Sequence, residues 1–351
     1  MAGRDDGSAR RIAIGCLGTT YLKMFCHRGY GRRRKGRRGI DRCWRQTFCV
    51  PLRQPLVPPR FLLFLVVVPL VLATDVYSQP ANLIETGGPR KSTSATSAPT
   101  ELTVVTYNIR WRAGDQLEQI AGWLKERKPA IVALQEIDRA RKRTGNANTA
   151  RALAEQLGMF YAWAAPPSVK PTDEEETGVE LLSPYPISDV ARIVLPNQGP
   201  GGRSRVALGA TIHLGTIKVR VYSVHAENRL PEPRKVEQLN AVLADLERWP
   251  KSTPAIVMGD FNSWERPMID RVRELFTKAG FTTPFPDGRA TFQRQIVIFD
   301  LELKLDWIWL RGFESKSFDI DRSFTVSDHF PLSTTVTLKQ NGEPSKDDSP
   351  R

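Results

Sequence analysis

Two segments, Ser327-Asp328-His329-Phe330-Pro331-Leu332 and Gly259-Asp260-Phe261-Asn262, set carboxylate, carboxamide and imidazole groups directly after apolar runs at 324–326 and 255–258. Asn108 closes a similar run over 102–107, and Glu136 closes another over 130–134. Asp306 sits inside the apolar stretch Leu305-Asp306-Trp307-Ile308-Trp309-Leu310. Polar groups of this kind are costly to bury alone. Five such places at the ends or middles of strand-like runs therefore predict one shared cleft. Its oxygen-rich donor set suits a hard divalent cation, Mg2+ first and Mn2+ second. Asp260 and Asn262 would share a face of an extended segment. The same four residues also read as a plain turn, with Asp and Asn bonding their own backbone.

The elements that must carry these groups alternate along the chain. Residues 102–109 and 130–134 read as strands, with Leu117, Ile120, Ala121 and Leu124 at helical spacing between them. A second helix is predicted over 147–157, with Ala150, Leu153, Ala154 and Leu157 on one face. Strand-like segments follow at 179–182, 191–195, 205–213 and 217–224, the last two joined by the turn Leu214-Gly215-Thr216. Helices are predicted over 233–246, with proline at its start, and over 268–279, stopped by Gly280. Strand–helix alternation around antiparallel hairpins predicts mixed sheets covered by helices.

Six ordered segments give this pattern a family. Thr106-Tyr107-Asn108-Ile109, Leu134-Gln135-Glu136, Ser223-Val224-His225, Gly259-Asp260-Phe261-Asn262, Leu305-Asp306-Trp307-Ile308 and Ser327-Asp328-His329-Phe330-Pro331-Leu332 together resemble the deoxyribonuclease-I-like endonuclease/exonuclease/phosphatase superfamily. The resemblance implies an α/β fold, a four-layer α/β/β/α sandwich with two mixed β-sheets. It implies a Mg2+-dependent hydrolase of phosphoric esters, in first place a phosphodiesterase, working by in-line attack of water. Glu136 is the implied principal metal ligand, with Asn108 beside the metal or phosphate and Asp328 as an outer metal or water ligand. Asp260 would orient or deprotonate the water, and Asn262 would hold Asp260 and the phosphoryl oxygens. His329 would polarise the scissile phosphate with Asp306 as its partner, and His225 would bond a nonbridging oxygen. His213 has no partner motif and is assigned to the sheet. No Gly-x-Ser-x-Gly elbow, P-loop or dinucleotide-binding glycine pattern is present in the sequence.

The chain also departs from many bacterial relatives. Gly178-Val179-Glu180-Leu181-Leu182-Ser183-Pro184 stands where they carry Gly-Asn-Ala before Leu-Leu-Ser and a basic residue after it. Glu180 then reads either as a cleft carboxylate that disfavours a polyanion or as a rim carboxylate paired with Arg203 or Arg205. Ala226-Glu227-Asn228-Arg229 follows His225 in place of the common His-Leu, with no direction to be read from it. The substrate class stays open among lipid, small-molecule and nucleic-acid esters. Trp111, Trp163 and Trp264, expected near active-site loops, suit any of the three. A secreted nuclease acting on DNA or RNA is the second enzymatic reading. A catalytically silent, membrane-tethered binding module is the third, although Glu136, Asp260 and His329, whose loss would mark it, are all present.

Charge and cysteine are confined to one end. Of the formal +13, residues 1–60 carry fifteen Lys/Arg against three Asp/Glu, while the remainder holds 36 basic and 35 acidic residues, a net of +1. The catalytic region thus lacks the global basic field of non-specific nucleic-acid binders. All four cysteines (Cys16, Cys26, Cys43, Cys49) precede residue 50, so a thiol nucleophile is excluded downstream. The thirteen apolar residues 61–73, with Arg60 before them, suit the core of a secretory signal better than a membrane span. Five regions are expected. Residues 1–60 form a basic leader or an upstream-assigned start, and 61–78 a signal-like segment. A flexible linker over 79–100 leads to the catalytic domain at 101–339, and 340–351 form a disordered tail. The domain is expected to be exported to the periplasm or beyond, with membrane association through 61–76, and to act as a monomer.

Overall fold

A computed structural model describes residues 83–89, 99–167, 176–297 and 299–339. The expected leader at 1–60, the apolar segment at 61–78 and the tail at 340–351 lie outside the described residues. Seven strands form one sheet: β1 (Ile84–Gly87), β2 (Leu102–Asn108), β3 (Ile131–Arg139), β4 (Phe160–Ala164), β5 (Glu176–Ser183), β13 (Phe313–Ile320) and β14 (Leu332–Leu338). Five form the second: β6 (Ile187–Leu195), β7 (Arg205–Leu214), β8 (Ile217–His225), β9 (Ala255–Asp260) and β12 (Asp306–Arg311). β10 (Phe292–Ile296) and β11 (Phe299–Leu303) make a separate two-stranded sheet. The helices are α1 (Asp115–Arg127), α2 (Thr149–Leu157), α3 (Glu232–Leu246) and α4 (Arg266–Lys278), each where the 3.6-residue spacing puts it.

The orders β1-β4-β5-β3-β2-β14-β13 and β12-β9-β8-β7-β6 are mostly antiparallel, with one parallel pair in each sheet. These pairs are β2–β3, joined through α1, and β8–β9, joined through α3. A parallel pair needs a crossover, and a helix that makes one must cover a sheet face. The central strands are therefore buried on both faces and read as continuous apolar runs, whereas the edge strands β6 and β13 stay partly exposed. Val104, Ile131, Leu181, Leu208, Ile256 and Ile308 belong to the core between the sheets. Tyr107, Leu134 and Trp163 pack with Ile120 and Leu153 under α1 and α2. Trp307, Trp309 and Phe276 pack with Val242 beneath α3 and α4. The result is the expected four-layer α/β/β/α sandwich. Among the described residues no helix is long and apolar enough to cross a membrane.

Three local expectations are corrected. Residues 84–87 of the expected linker form β1, paired antiparallel with β4. Glu85 pins it through Tyr161 (2.6 Å), Arg139 (3.0 Å) and Arg151 (2.7 Å). A strand of four residues is too short to show periodicity inside a Ser/Thr-rich stretch. The apolar run 324–326 is a loop rather than a strand. Phe324 is half-buried by packing against Trp123 and Tyr107, ring centroids 5.6 and 6.0 Å away, without strand pairing. Finally, the strand that Glu136 was expected to close continues to Arg139.

Candidate active site

The site forms where the parallel pairs end. In the second sheet, His225 pairs with Asp260, and Asp260 pairs with Asp306, so three neighbouring strands present the three groups in one row. Gly259 makes the row possible. It has φ +135°, and a Cβ there would stand 2.1 Å from the Val224 carbonyl oxygen of β8. Asn108, at the end of β2 in the facing sheet, reaches across to donate to Asp260 Oδ2 at 3.1 Å.

Glu136 enters the cleft through a β-bulge. Gln135 pairs with Val179 and Ile137 with Gly178, which leaves Glu136 as the extra residue with φ +58°. Simple alternation would aim it at the helix side, where Leu134 is buried. The bulge turns it instead toward the second sheet, with Oε1 3.8 Å from His225 Nε2 and 3.4 Å from Asn108 Nδ2. Arg110, Trp111 and Asn262 also have positive φ, at 48°, 58° and 52°. Left-handed non-glycine backbone is costly, and such residues concentrate at functional sites.

His329 is held by its Nδ1, 2.9 Å from Asp306 Oδ2, while its Nε2 lies 3.8 Å from Asp260 Oδ2. Thr291 steadies the pair by donating its hydroxyl to the same Asp306 oxygen at 2.7 Å and accepting from the Leu305 and Asp306 amides. Burial opposes a charge on His329, but Asp306 outweighs it and raises the imidazole to about 10. Burial pushes the Asp260 carboxyl up as well, to about 7, against the pull of His329.

His225 Nε2 lies 3.7 Å from Asp260 Oδ2. Its Nδ1 faces Arg205 Nη1 at 3.2 Å, and Arg205 in turn bonds Glu227 at 3.1 Å. Burial first, and then Arg205, hold His225 well below the ordinary imidazole range. Lys235, buried on α3, donates to the Asn262 carbonyl at 2.8 Å and stacks on Trp264 at 3.7 Å. Burial lowers its ammonium to about 8.

All of Asn108, Glu136, His225, Asp260, Asn262, Asp306 and His329 thus converge, but several do so in unexpected ways. Asn108 turns Nδ2, not Oδ1, toward the carboxylates, because Oδ1 accepts from the Arg110 amide at 3.1 Å. In this arrangement it donates between two anions. Asp328 turns away to Arg110 (3.0 Å) and Arg294, so it anchors two guanidiniums at the mouth and does not face the carboxylate row. Asn262 holds Asp260 through its backbone N–H (2.9 Å), while its side chain bonds the Ala226 carbonyl (3.0 Å). Glu180 follows neither reading. It is fully buried in register with Leu134 and Trp163, neither carboxylate oxygen has a hydrogen bond, and burial raises it well above the ordinary range. Arg203 and Arg205 pair with Glu227 instead. Trp163 is core rather than cleft, whereas Trp111 is partly exposed with its amide on the Glu136 carbonyl. His213 lies in β7, as assigned, with Nε2 2.7 Å from the Ser188 hydroxyl. Thr291 and Lys235 carried no motif that could have marked them, whereas Glu227 and Arg205 stood in segments the sequence set apart without showing that they pair.

The donor set fits a divalent cation. Glu136 Oε2 and Asp306 Oδ1 are buried without hydrogen-bond partners, and carboxylates of Glu136 and Asp260 face the same gap. Hard oxygen donors with room for water are what Mg2+ takes. Asp260, Asp306 and His329 also offer ligand atoms within 4.8 Å of one another, but there the Asp306–His329 hydrogen bond already uses two of them.

The model of the Endonuclease/Exonuclease/phosphatase family matches residues 105–329, more than half of the chain. A UPF0294 protein of Vibrio vulnificus is 33% identical over 104 residues, which cover 29% of this chain and only 33% of that protein. An endonuclease/exonuclease/phosphatase structure from Beutenbergia cavernae superposes with a TM-score of 0.55 at 17% identity, over 68% of this chain and 72% of that one. A mannosyl-6-phosphatase from Bacteroides thetaiotaomicron gives 0.52 at 18%, over 68% of this chain and all of that one.

Proposed function

This chain belongs to the endonuclease/exonuclease/phosphatase family, and from that premise we propose a Mg2+-dependent phosphodiesterase acting by in-line attack of water. As a family member it is a divalent-metal-dependent hydrolase of phosphoric esters. Diester preference, the choice of magnesium and the residue roles are our reading. Glu136, through its unpartnered Oε2, would hold the ion with Asp260 beside it. When bound, the ion neutralises charge on the phosphoryl oxygens.

The observation that carries the reading is the Asp306–His329 pair, whose Nε2 faces Asp260 across the mouth at 3.8 Å. As an imidazolium, His329 donates from Nε2 to a phosphoryl oxygen and stabilises the charge that builds there. Asp306 keeps that proton in place and aligns the ring. Asp260 is placed to orient a water between the two histidines for attack. It accepts the water's proton as the new P–O bond forms and the ester P–O bond opposite it breaks, the leaving alkoxide departing to take a proton from solvent. His225 supplies a second donor from Nε2. Asn108 and the Asn262 amide hold Asp260 in this position. Arg110 and Arg294, steadied by Asp328, flank the mouth and favour an anionic substrate. They are also what supports the alternative reading of a nuclease. Export is carried forward as a proposal on the apolar run 61–73.

The test is hydrolysis of bis(p-nitrophenyl) phosphate by the full chain with Mg2+ and with chelator, beside p-nitrophenyl phosphate, plasmid DNA and sphingomyelin. Diester turnover that chelator abolishes and His329→Ala reduces about 10³-fold is expected. Turnover of the monoester alone would replace the diesterase with a phosphatase. DNA cleavage well above lipid cleavage would select the nuclease.

A further inference from the structure

Glu227 is completely buried, yet it carries two guanidiniums. Arg203 bonds both of its oxygens, and Arg205 Nε bonds Oε2 at 3.1 Å. The Arg229 amide (3.1 Å) adds a donor to Oε1, and Gln238 fixes the Glu227 backbone by accepting its N–H at 2.8 Å. Burial would raise the Glu227 carboxyl, but these partners hold it below the ordinary range. A buried carboxylate with this many donors is rigid, because loss of any one leaves charge uncompensated. Arg205 is therefore held at Nε, and its remaining face presents Nη1 to His225 Nδ1 at 3.2 Å.

That contact has only one chemically allowed sense. A guanidinium has donors and no acceptor. Nδ1 must therefore accept, and in a neutral imidazole the proton then resides on Nε2. Nε2 is the nitrogen that faces Glu136 Oε1 at 3.8 Å and Asp260 Oδ2 at 3.7 Å.

We infer that Arg205 and Glu227 are positioning residues that lock His225 as the Nε2–H tautomer, so that the ring is a neutral donor aimed into the cleft. This rests on the phosphoester hydrolase reading above for its purpose, but not for its geometry. It also gives a role to Glu227 in the segment Ala226-Glu227-Asn228-Arg229 that follows His225. Without a lock, neutral imidazole could place its proton on either nitrogen, and the Nδ1–H form would present a lone pair to the cleft. A lone pair there would repel a phosphoryl oxygen instead of bonding it.

The ring can be read directly by long-range 1H–15N correlation on the metal-free full chain. The chain has only four histidines, and His225→Asn identifies the signal by its loss. The expected spectrum shows the His225 proton on Nε2 and a bare Nδ1. Arg205→Met should move Nδ1 toward a tautomer mixture, Glu227→Gln should move it less, and Arg205→Lys should restore the wild-type pattern in part. With bis(p-nitrophenyl) phosphate, Arg205→Met should lose about 10- to 100-fold in kcat/KM, the usual scale for a residue that orients a site group. The Arg205→Met/His225→Asn double variant should lose no more than His225→Asn alone. A wild-type ring protonated on Nδ1, a spectrum unchanged by Arg205→Met, or losses that multiply would each overturn the inference. If Arg205→Met fails to fold, the wild-type spectrum and Glu227→Gln still decide. Absence of all ester turnover would sink the functional reading and leave the ring measurement standing.

Discussion

His329 and His225 aim Nε2 at the same Asp260 oxygen, at 3.8 and 3.7 Å, yet their other nitrogens meet opposite charges. Asp306 faces Nδ1 of His329, and Arg205 faces Nδ1 of His225. The carboxylate favours a charged ring and raises it to about 10, whereas burial and the guanidinium leave the other ring neutral. One residue type thus supplies two different donors in one cleft. The lesson is that the partner behind the ring, and not the ring or its distance from the reacting centre, sets what a histidine can do.

The comparison breaks most visibly at Asp306. Asp306→Asn keeps the shape but removes the charge behind His329, and kcat should fall on the order of 10³-fold, within the range of general acid–base contributions. A fall of less than tenfold, measured with the diester at saturating Mg2+, would mean that the His329 charge is not what matters.

His225→Asn should cost less, about 10²-fold, as expected for one donor to developing charge. Loss equal to that of His329→Ala would erase the asymmetry between the rings.

The smallest effect is on stability, and the two rings should show opposite signs. His329 has a folded pKa raised above its unfolded value near 6.5. Its contribution is fully present below about pH 6.5 and is lost as pH rises toward about 10. His225 is depressed, so its burial costs nothing above the unfolded pKa and destabilises as pH falls below it. Urea midpoints of metal-free protein should therefore show Asp306→Asn approaching wild type between about pH 6.5 and 10. His225→Asn should gain on wild type on the acid side. Parallel curves in both windows would remove the electrostatic difference.

Much of the site was legible because its residues interrupt runs that are otherwise wholly apolar. A sheet covered on both faces leaves no innocent place for Asn108, His225, Asp260 or Asp306, so a polar residue at a strand end signals the mouth. Glu136 was legible by the same contrast, but its bulge was not, since an extra residue shows only against the register of Gln135 and Ile137 with β5. The strand at 84–87 was hidden for a similar reason: its pairing with β4 and the hold on Glu85 are made far along the chain.

The amino-acid sequence alone determined the alternation of strands and helices over much of the domain and the polar residues that end its apolar runs. Those follow from local periodicity and from the cost of burying polar groups, both of which are written along the chain. The four-layer α/β/β/α arrangement was implied by the resemblance of six ordered segments to a known family. Only the tertiary structure decided how each group is held. It turned the Asn108 amide to the carboxylates, gave Asp328 to Arg110 and Arg294, left Glu180 alone in the core, and set Asp306 behind one histidine and Arg205 behind the other. Hydrogen-bond and charge partners are chosen by proximity in space, and the arginine that sets the character of His225 lies twenty residues earlier, on the strand paired beside it.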